Sequence, residues 1–173
     1  MSDKQTFEIS VDISWDGGET TEPVMIDDTT YDHDDIISAA FNQAEDVGVF
    51  EKFENITQED CDFEIHIDDD DLEDLGISNT DELEEFCNIF YSDDNYYEIE
   101  VFQAAYGCDI PFEDVNEMYQ GEWEDDETFV MRLLEDTGVI PSDLPNFIYI
   151  DWERTAEEVM MDYVENRGHY FRQ

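Results

Sequence analysis

The chain has 173 residues, of which 51 are Asp or Glu and only 6 are Lys or Arg, so its formal net charge at pH 7 is -45. It also contains 12 Phe, 9 Tyr and 3 Trp, and Leu, Ile, Val and Phe make up about a quarter of it, which is more than a disordered chain contains. The composition therefore excludes a disordered acidic tail and predicts a folded protein with a polyanionic surface. Because self-repulsion opposes compaction, we expect stability to depend on salt.

The first 70 residues predict a small α+β unit. Apolar and polar residues alternate in two segments, as in strands with one buried face, and a helical spacing of apolar residues lies between them. Gly residues supply the turn after the first strand. The predicted elements are a strand over Phe7–Ile13, a turn at Asp16–Gly18, a returning strand at Pro23–Asp27, a helix over Asp32–Asp46 and a strand over Phe63–Ile67.

The middle of the chain predicts helices. Leu83, Phe86, Cys87 and Phe90 have the spacing of an amphipathic helix, which Thr80 or Ser78 would cap. A second helix is predicted from about residue 95 to 106, ending at a glycine.

The last part predicts helices and short extended pieces. The expected elements are a helix over Phe112–Tyr119, an extended piece at Gly121–Trp123, a helix around Phe129–Leu134, a helix over Trp152–Tyr163 and an edge strand over Gly168–Arg172. The sequence thus predicts an α+β fold of three small domains packed end to end in an elongated chain, mixed α/β at both ends with a helical middle. The predicted domains are residues 1–70, 71–108 and 109–173.

No motif predicts catalysis. The three histidines are scattered, and the chain has no HExxH, GxSxG, P-loop or GxGxxG pattern. Paired carboxylates occur throughout, so a pair by itself does not indicate acid–base chemistry. We expect no catalytic residue, no cofactor and no enzyme activity.

A chain with many carboxylates could bind calcium, because carboxylate oxygens are its usual ligands. The segment from Asp12 follows the EF-hand loop in part, but position 12 of that loop would be Pro23, and the run Asp68–Asp71 lacks the required glycine. We expect weak, nonspecific cation binding and no dedicated metal site.

The cysteines Cys61, Cys87 and Cys108 are odd in number, and their spacing matches neither a disulfide framework nor a zinc site. Reduced core thiols in a cytoplasmic protein are expected. The sequence Asn55-Ile56-Thr57 matches a glycosylation sequon, but no signal peptide precedes it, so glycosylation is not expected. No apolar run is long enough to span a membrane.

Four interpretations of the charge follow. Acidic surfaces adapt proteins to high salt, hold cations in structural proteins, or sequester basic proteins. The fourth is mimicry of DNA, which carries about one negative charge per 1.7 Å of duplex, so 45 charges correspond to about 75 Å of it. Carboxylates would then meet the Lys and Arg side chains that normally hold phosphates.

The predicted mimic surface consists of arrays of carboxylates. For each array, the alternative is an ordinary solvated helix face. The residues are Asp68, Asp69, Asp70, Asp71, Glu73 and Asp74; Asp81, Glu82, Glu84 and Glu85; Asp93 and Asp94; and Glu122, Glu124, Asp125, Asp126 and Glu127.

The C-terminal third carries a family resemblance. A helix-like run from Glu127 ends in Glu135-Asp136-Thr137-Gly138, a loop bounded by prolines leads to Tyr149-Ile150-Asp151-Trp152, and Gly168-His169-Tyr170-Phe171 lies near the end. These segments resemble the ArdA family of antirestriction proteins, which have a similar helix ending, loop, helix start and terminal strand. The resemblance extends loosely over nearly the whole chain and is specific from about residue 114 onward.

The resemblance implies three small domains in a curved, elongated homodimer that mimics B-DNA. Such proteins occupy the DNA-binding groove of type I restriction-modification complexes, and mobile elements and phages use them when entering a host. For this chain it implies an inhibitor whose partner is a type I restriction-modification methyltransferase in the host cytoplasm, with no direct contact to nucleic acid or membrane. The family's motif helix falls on Phe129, Val130, Leu133, Leu134, Glu135, Thr137 and Gly138, and we expect its apolar face to be structural, with part of the C-terminal domain near a dimer contact.

Overall fold

The structure, a computed structural model, describes residues 4–53, 56–141, 143–145 and 148–173. These residues form seven α-helices and two three-stranded antiparallel sheets, which confirms the predicted α+β class. The chain divides into two compact units, residues 1–99 and 100–173. The arrangement of three domains stays a prediction, and Asn55 of the sequon lies outside the described residues.

The N-terminal unit is a sheet with α1 on one face. Its strands have the order β2-β1-β3, and the alternation of β1 buries Phe7, Ile9, Val11 and Ile13 on the side where α1 packs. The elements are β1 (Phe7–Trp15), β2 (Gly18–Ile26), α1 (His33–Asp46), β3 (Asp62–His66), α2 (Asp70–Glu73) and α3 (Thr80–Phe90).

Aromatic rings join α3 to the sheet. Phe86 and Phe90 are stacked with ring centroids 5.2 Å apart, and Phe7 of β1 lies 5.7 Å from the Phe90 ring and 6.1 Å from the Phe86 ring. All three side chains are fully buried. Aromatic rings bury large areas per residue, so they stabilise the fold against the self-repulsion of the surface.

The C-terminal unit has a second small sheet with the order β4-β6-β5. Its core is formed by Phe129, Val130, Ala156 and Tyr170. The elements are α4 (Ile99–Tyr106), α5 (Val115–Met118), β4 (Tyr119–Glu122), α6 (Asp126–Asp136), α7 (Trp152–Val159), β5 (Tyr163–Asn166) and β6 (His169–Arg172).

Two predictions for the C-terminal unit were wrong. The last strand is not an edge strand, because β6 pairs with β4 on one side and with β5 on the other. The helix predicted to reach Tyr163 ends at Val159, and Tyr163 begins β5. A short turn at Arg167 and Gly168, both with positive φ, reverses the chain between β5 and β6, so the two strands pair with each other.

Two predictions for the middle segment were also wrong. The N-cap of α3 is Asn79, whose side chain accepts from the Glu82 amide, rather than Thr80 or Ser78. The next helix begins at Ile99 instead of near residue 95, because the Asn95 side chain bonds to the backbone at Phe90 and Tyr97. Such local bonds compete with helix formation.

Among the described residues, no helix combines the length and the apolar content that crossing a bilayer requires. The three cysteines are free thiols. Only Cys87 is a core residue, and burial raises its pKa to about 12. Cys61 and Cys108 are half-buried, so the expectation of core thiols holds for one of the three.

Candidate acidic interaction surface

The carboxylates predicted from the sequence lie at the surface of both units. Of the seventeen, fifteen are exposed, Asp69 and Asp71 are half-buried, and none is buried. Twelve of them belong to α2, α3, α6 or the residues that cap these helices. The helices place their apolar residues in the core, so the acidic residues between them project outward.

The first array is attached to β1 and to the residues just before it. Asp68 accepts a hydrogen bond from the Ser10 hydroxyl at 2.7 Å, and Asp71 accepts one from Gln5 Nε2 at 2.5 Å. The ladder between β1 and β3 covers only Ser10–Ser14 of β1, so the Glu8 amide extends beyond it. The Asp69 carboxylate accepts a hydrogen bond from that amide at 3.0 Å. These bonds hold the array in place against the strand.

Several acids in the arrays also cap helices. Asp69 caps α2 by accepting from the Asp71 amide, and Glu82 near the start of α3 accepts from both the amide and the hydroxyl of Ser78, at 2.9 and 3.0 Å. The bond from the Ser78 amide is the main reason that the pKa of Glu82 is lowered. Hydrogen bonds therefore orient these carboxylates before any partner arrives.

The last array is organised in the same way at the start of α6. Asp125 is the N-cap and accepts from the Thr128 amide at 2.7 Å, which lowers the pKa of Asp125. Asp126 accepts from the hydroxyl of the buried Tyr170 at 2.7 Å. Burial, followed by the bond to Asp126, raises the pKa of Tyr170.

Eight other acids in the arrays have side chains that make no hydrogen bond or ion pair within the described residues. Their side chains are exposed. A partner could therefore approach them without breaking a bond. They are Asp70, Glu73, Asp81, Glu84, Glu85, Glu122, Glu124 and Glu127.

Few cations compensate the surface. Arg132 pairs with Glu135 at 3.4 Å along α6, and Arg167 donates to Gln103 Oε1 at 3.1 Å. The Lys4 ammonium is directed at backbone, donating to the carbonyl oxygens of Phe90 and Ser92. Burial lowers the pKa of Lys4, while Asp93, Glu98 and Asp28 oppose that shift.

The motif helix is part of the core of its unit. In α6, Phe129 and Val130 are buried and Leu133 and Leu134 pack against the same cluster, and the Phe129 ring stacks on Tyr170 at 4.5 Å. Glu135 and Thr137 are exposed, and Gly138 has φ +70° just beyond the helix. A glycine takes that conformation without steric cost, so it ends the helix.

Sequence reasoning missed one acidic region. The sheet face opposite α1 carries a cleft of about 470 Å³ that includes the carboxyl groups of Asp12, Glu19, Asp62 and Glu64. Asp12 and Glu64 are direct cross-strand neighbours, and Asp12 also contacts His66 Nε2 at 3.1 Å. Asp12 and Glu64 fall at polar positions of two predicted strands, but the pairing of β1 with β3 was not predicted. Glu19 and Asp62 lie outside the predicted strands, because β2 and β3 begin earlier than predicted.

In the part of the chain that the structure describes, no group of three or more His, Cys, Asp or Glu residues has the arrangement of a metal site. Comparisons of the chain with protein-family models, with curated proteins and with solved structures found no match.

Proposed function

We propose that this protein is a catalytically inert DNA mimic that occupies the DNA-binding groove of a host type I restriction-modification enzyme. One observation carries the proposal. Every carboxylate of the predicted arrays lies at the surface, while buried aromatic and aliphatic side chains form a core in each unit. The charge is therefore displayed on a folded scaffold instead of a flexible chain.

Order in the arrays supports binding. Asp68, Asp69 and Asp125 are fixed by hydrogen bonds to strand β1 or to helix N-termini. An acidic segment that is already ordered does not lose that conformational freedom on association, and this loss is one of the main costs of binding. Opposite charges on the two partners would also accelerate their encounter.

The resemblance to the ArdA family narrows the proposed target to type I enzymes. The proposal also includes an arrangement of this chain in three domains and its assembly into a homodimer, as the resemblance implies. The fold uses the apolar face of α6 for its own core, so the exposed carboxylates, and not this face, would meet the enzyme.

Competition with DNA tests the proposal. A type I methyltransferase complex is titrated with this protein in the presence of a labelled duplex that contains its recognition site. We expect the protein to displace the duplex at low salt and to lose affinity as salt rises, since exposed charges are screened over about 8–10 Å at physiological ionic strength. Failure to compete at low salt with several type I enzymes would refute the target.

A pair of double variants tests whether location matters beyond total charge. Glu84→Gln with Glu85→Gln changes an array on α3, and Glu157→Gln with Glu158→Gln makes the same change in charge on exposed residues of α7 outside the arrays. The α3 variant should bind the methyltransferase more weakly than the α7 variant. Equal losses would indicate that only the net charge matters, as for a general acidic partner.

A further inference from the structure

The Tyr96 side chain is unusual among the aromatic residues of the N-terminal unit. Phe7, Phe86 and Phe90 are fully buried there, but the Tyr96 side chain is 82% exposed. Among the described residues, its ring has no aromatic or cationic partner. It lies in the loop between α3 and α4, where residues 91–98 include three acids and no Lys or Arg.

The residues on both sides of Tyr96 are fixed. Asn95 is 4% exposed, and its Nδ2 donates to the Phe90 carbonyl oxygen at 2.7 Å. Its Oδ1 accepts from the Tyr97 amide at 3.0 Å. The backbone that carries Tyr96 is thus anchored to the end of α3, so presenting the ring to a partner requires little further ordering.

Lys4, one of the two lysines of the chain, is engaged elsewhere than on this ring. The Lys4 ammonium donates to the carbonyl oxygens of Phe90 and Ser92 and lies 5.7 Å from the centroid of the Phe90 ring. Its charge is directed at the C-terminus of α3. The Tyr96 face is available, and Asp93 and Glu98 of the same loop are exposed.

We propose that Tyr96 is an anchor for an arginine side chain of the basic partner. The inference rests on the proposed function, in which Lys and Arg side chains that normally hold DNA phosphates meet the acidic surface. A guanidinium group stacks on an aromatic face and can bond to a carboxylate at the same time. Tyr96 would add a short-range contact that a phosphate backbone does not offer, so part of the affinity would resist salt.

Substitutions at Tyr96 test this role. Tyr96→Leu removes the ring and keeps an apolar side chain, Tyr96→Phe keeps the ring, and Tyr149→Leu is the matched control, since Tyr149 is 89% exposed in a stretch with few acids. In competition with duplex DNA for the methyltransferase, Tyr96→Leu should bind roughly 5- to 30-fold more weakly. The affinity of Tyr96→Phe for the methyltransferase should stay within about twofold of that of the unmodified protein.

Salt provides a second readout. The loss from Tyr96→Leu should be of similar size at low and high salt, whereas the loss from Glu84→Gln with Glu85→Gln should shrink as salt rises, because only the second effect is screened. The inference is overturned if Tyr96→Leu binds as well as the unmodified protein, if Tyr96→Phe is as weak as Tyr96→Leu, or if the Tyr149 control loses as much.

A peptide separates failure of this inference from failure of the proposed function. The protein is titrated with a peptide of alternating Arg and Gly and with a matching peptide of Lys and Gly, and the NMR signals of the Tyr96 ring are followed. We expect larger shifts and tighter binding with the arginine peptide, and weaker binding of that peptide by Tyr96→Leu. If the methyltransferase is not inhibited but this pattern appears, the target is wrong and the anchor stands; an unperturbed Tyr96 ring overturns the anchor.

Discussion

The Lys4 ammonium donates a hydrogen bond to the Ser92 carbonyl oxygen at 2.9 Å, across 88 positions of sequence. The same ammonium donates to the Phe90 carbonyl oxygen, so it binds the C-terminal end of α3, whose last turn has no basic residue. Helix C-termini carry a partial negative charge that a cation stabilises. One of the two lysines in this polyanion therefore has a structural role.

Replacing Lys4 should destabilise the N-terminal unit. Lys4→Met removes both donors but keeps an apolar side chain, and we expect a loss of about 2 kcal/mol in the free energy of unfolding, the size of a hydrogen bond to a charged group. Lys52→Met is the matched control, because Lys52 is exposed and the change in charge is the same. Urea unfolding curves give the free energy of unfolding of each variant. Equal stability of the two variants would contradict a structural role for Lys4.

The bond between Tyr170 and Asp126 joins β6 to the start of α6. Tyr170→Phe should cost about 1 kcal/mol, as expected for one side-chain hydrogen bond. Asp126→Asn and the double variant complete a cycle that isolates the coupling between the two groups. A coupling free energy near zero in chemical denaturation would show that the bond contributes nothing to stability.

The Asp125 cap predicts a specific dependence on pH. Its pKa is lowered from an ordinary value of 3.8 by the bond from the Thr128 amide. Its contribution to stability is therefore fully present above that ordinary value and is lost as pH falls through the lower folded value. In the Asp125→Asn variant, the asparagine can still cap the helix but cannot titrate. The Tm of this variant should therefore fall less than that of the unmodified protein between about pH 5 and pH 2. Glu124→Gln, at an exposed neighbour, should retain the unmodified pH profile.

Salt should act on folding and binding with opposite signs. Raising NaCl from about 10 to 300 mM shortens the Debye length from about 30 Å to below 8 Å, which reduces repulsion among the surface carboxylates. We expect the Tm to rise and the affinity for the methyltransferase to fall over the same range. Thermal scans and competition assays in matched buffers test this, and a Tm that falls with salt would count against self-repulsion as the main electrostatic effect.

Single neutralisations within an array should have small effects on binding. Glu84→Gln alone should weaken binding by about twofold, whereas Asp81→Asn with Glu84→Gln and Glu85→Gln should weaken it by roughly tenfold, because exposed charge pairs contribute 0.2–1 kcal/mol each. Among the described residues, none of the three side chains has a hydrogen-bond or ion-pair partner. Only Asp81 lies in the first turn of α3, so the free energy of unfolding should change by less than about 1 kcal/mol. A single conservative change that abolished binding would point to one dominant contact instead of an array.

Sequence patterns predicted most local structure correctly. Alternation gave β1, periodicity gave α1, α3 and α6, and the helical spacing implied that acids between buried positions would face outward. Those features depend on residues only a few positions apart. The resemblance to ArdA proteins and the function that it implies stay predictions.

By itself, the sequence determined the charge, the apolar content that allows a core, and the period of each strand and helix. The tertiary structure decided which strand is central, as with β6 between β4 and β5, and which carboxylates have structural roles, as with Asp69 at the Glu8 amide. It also decided that Lys4 caps α3. These pairings join residues distant in sequence, and register and contact across such distances depend on how whole elements pack, which no local pattern encodes.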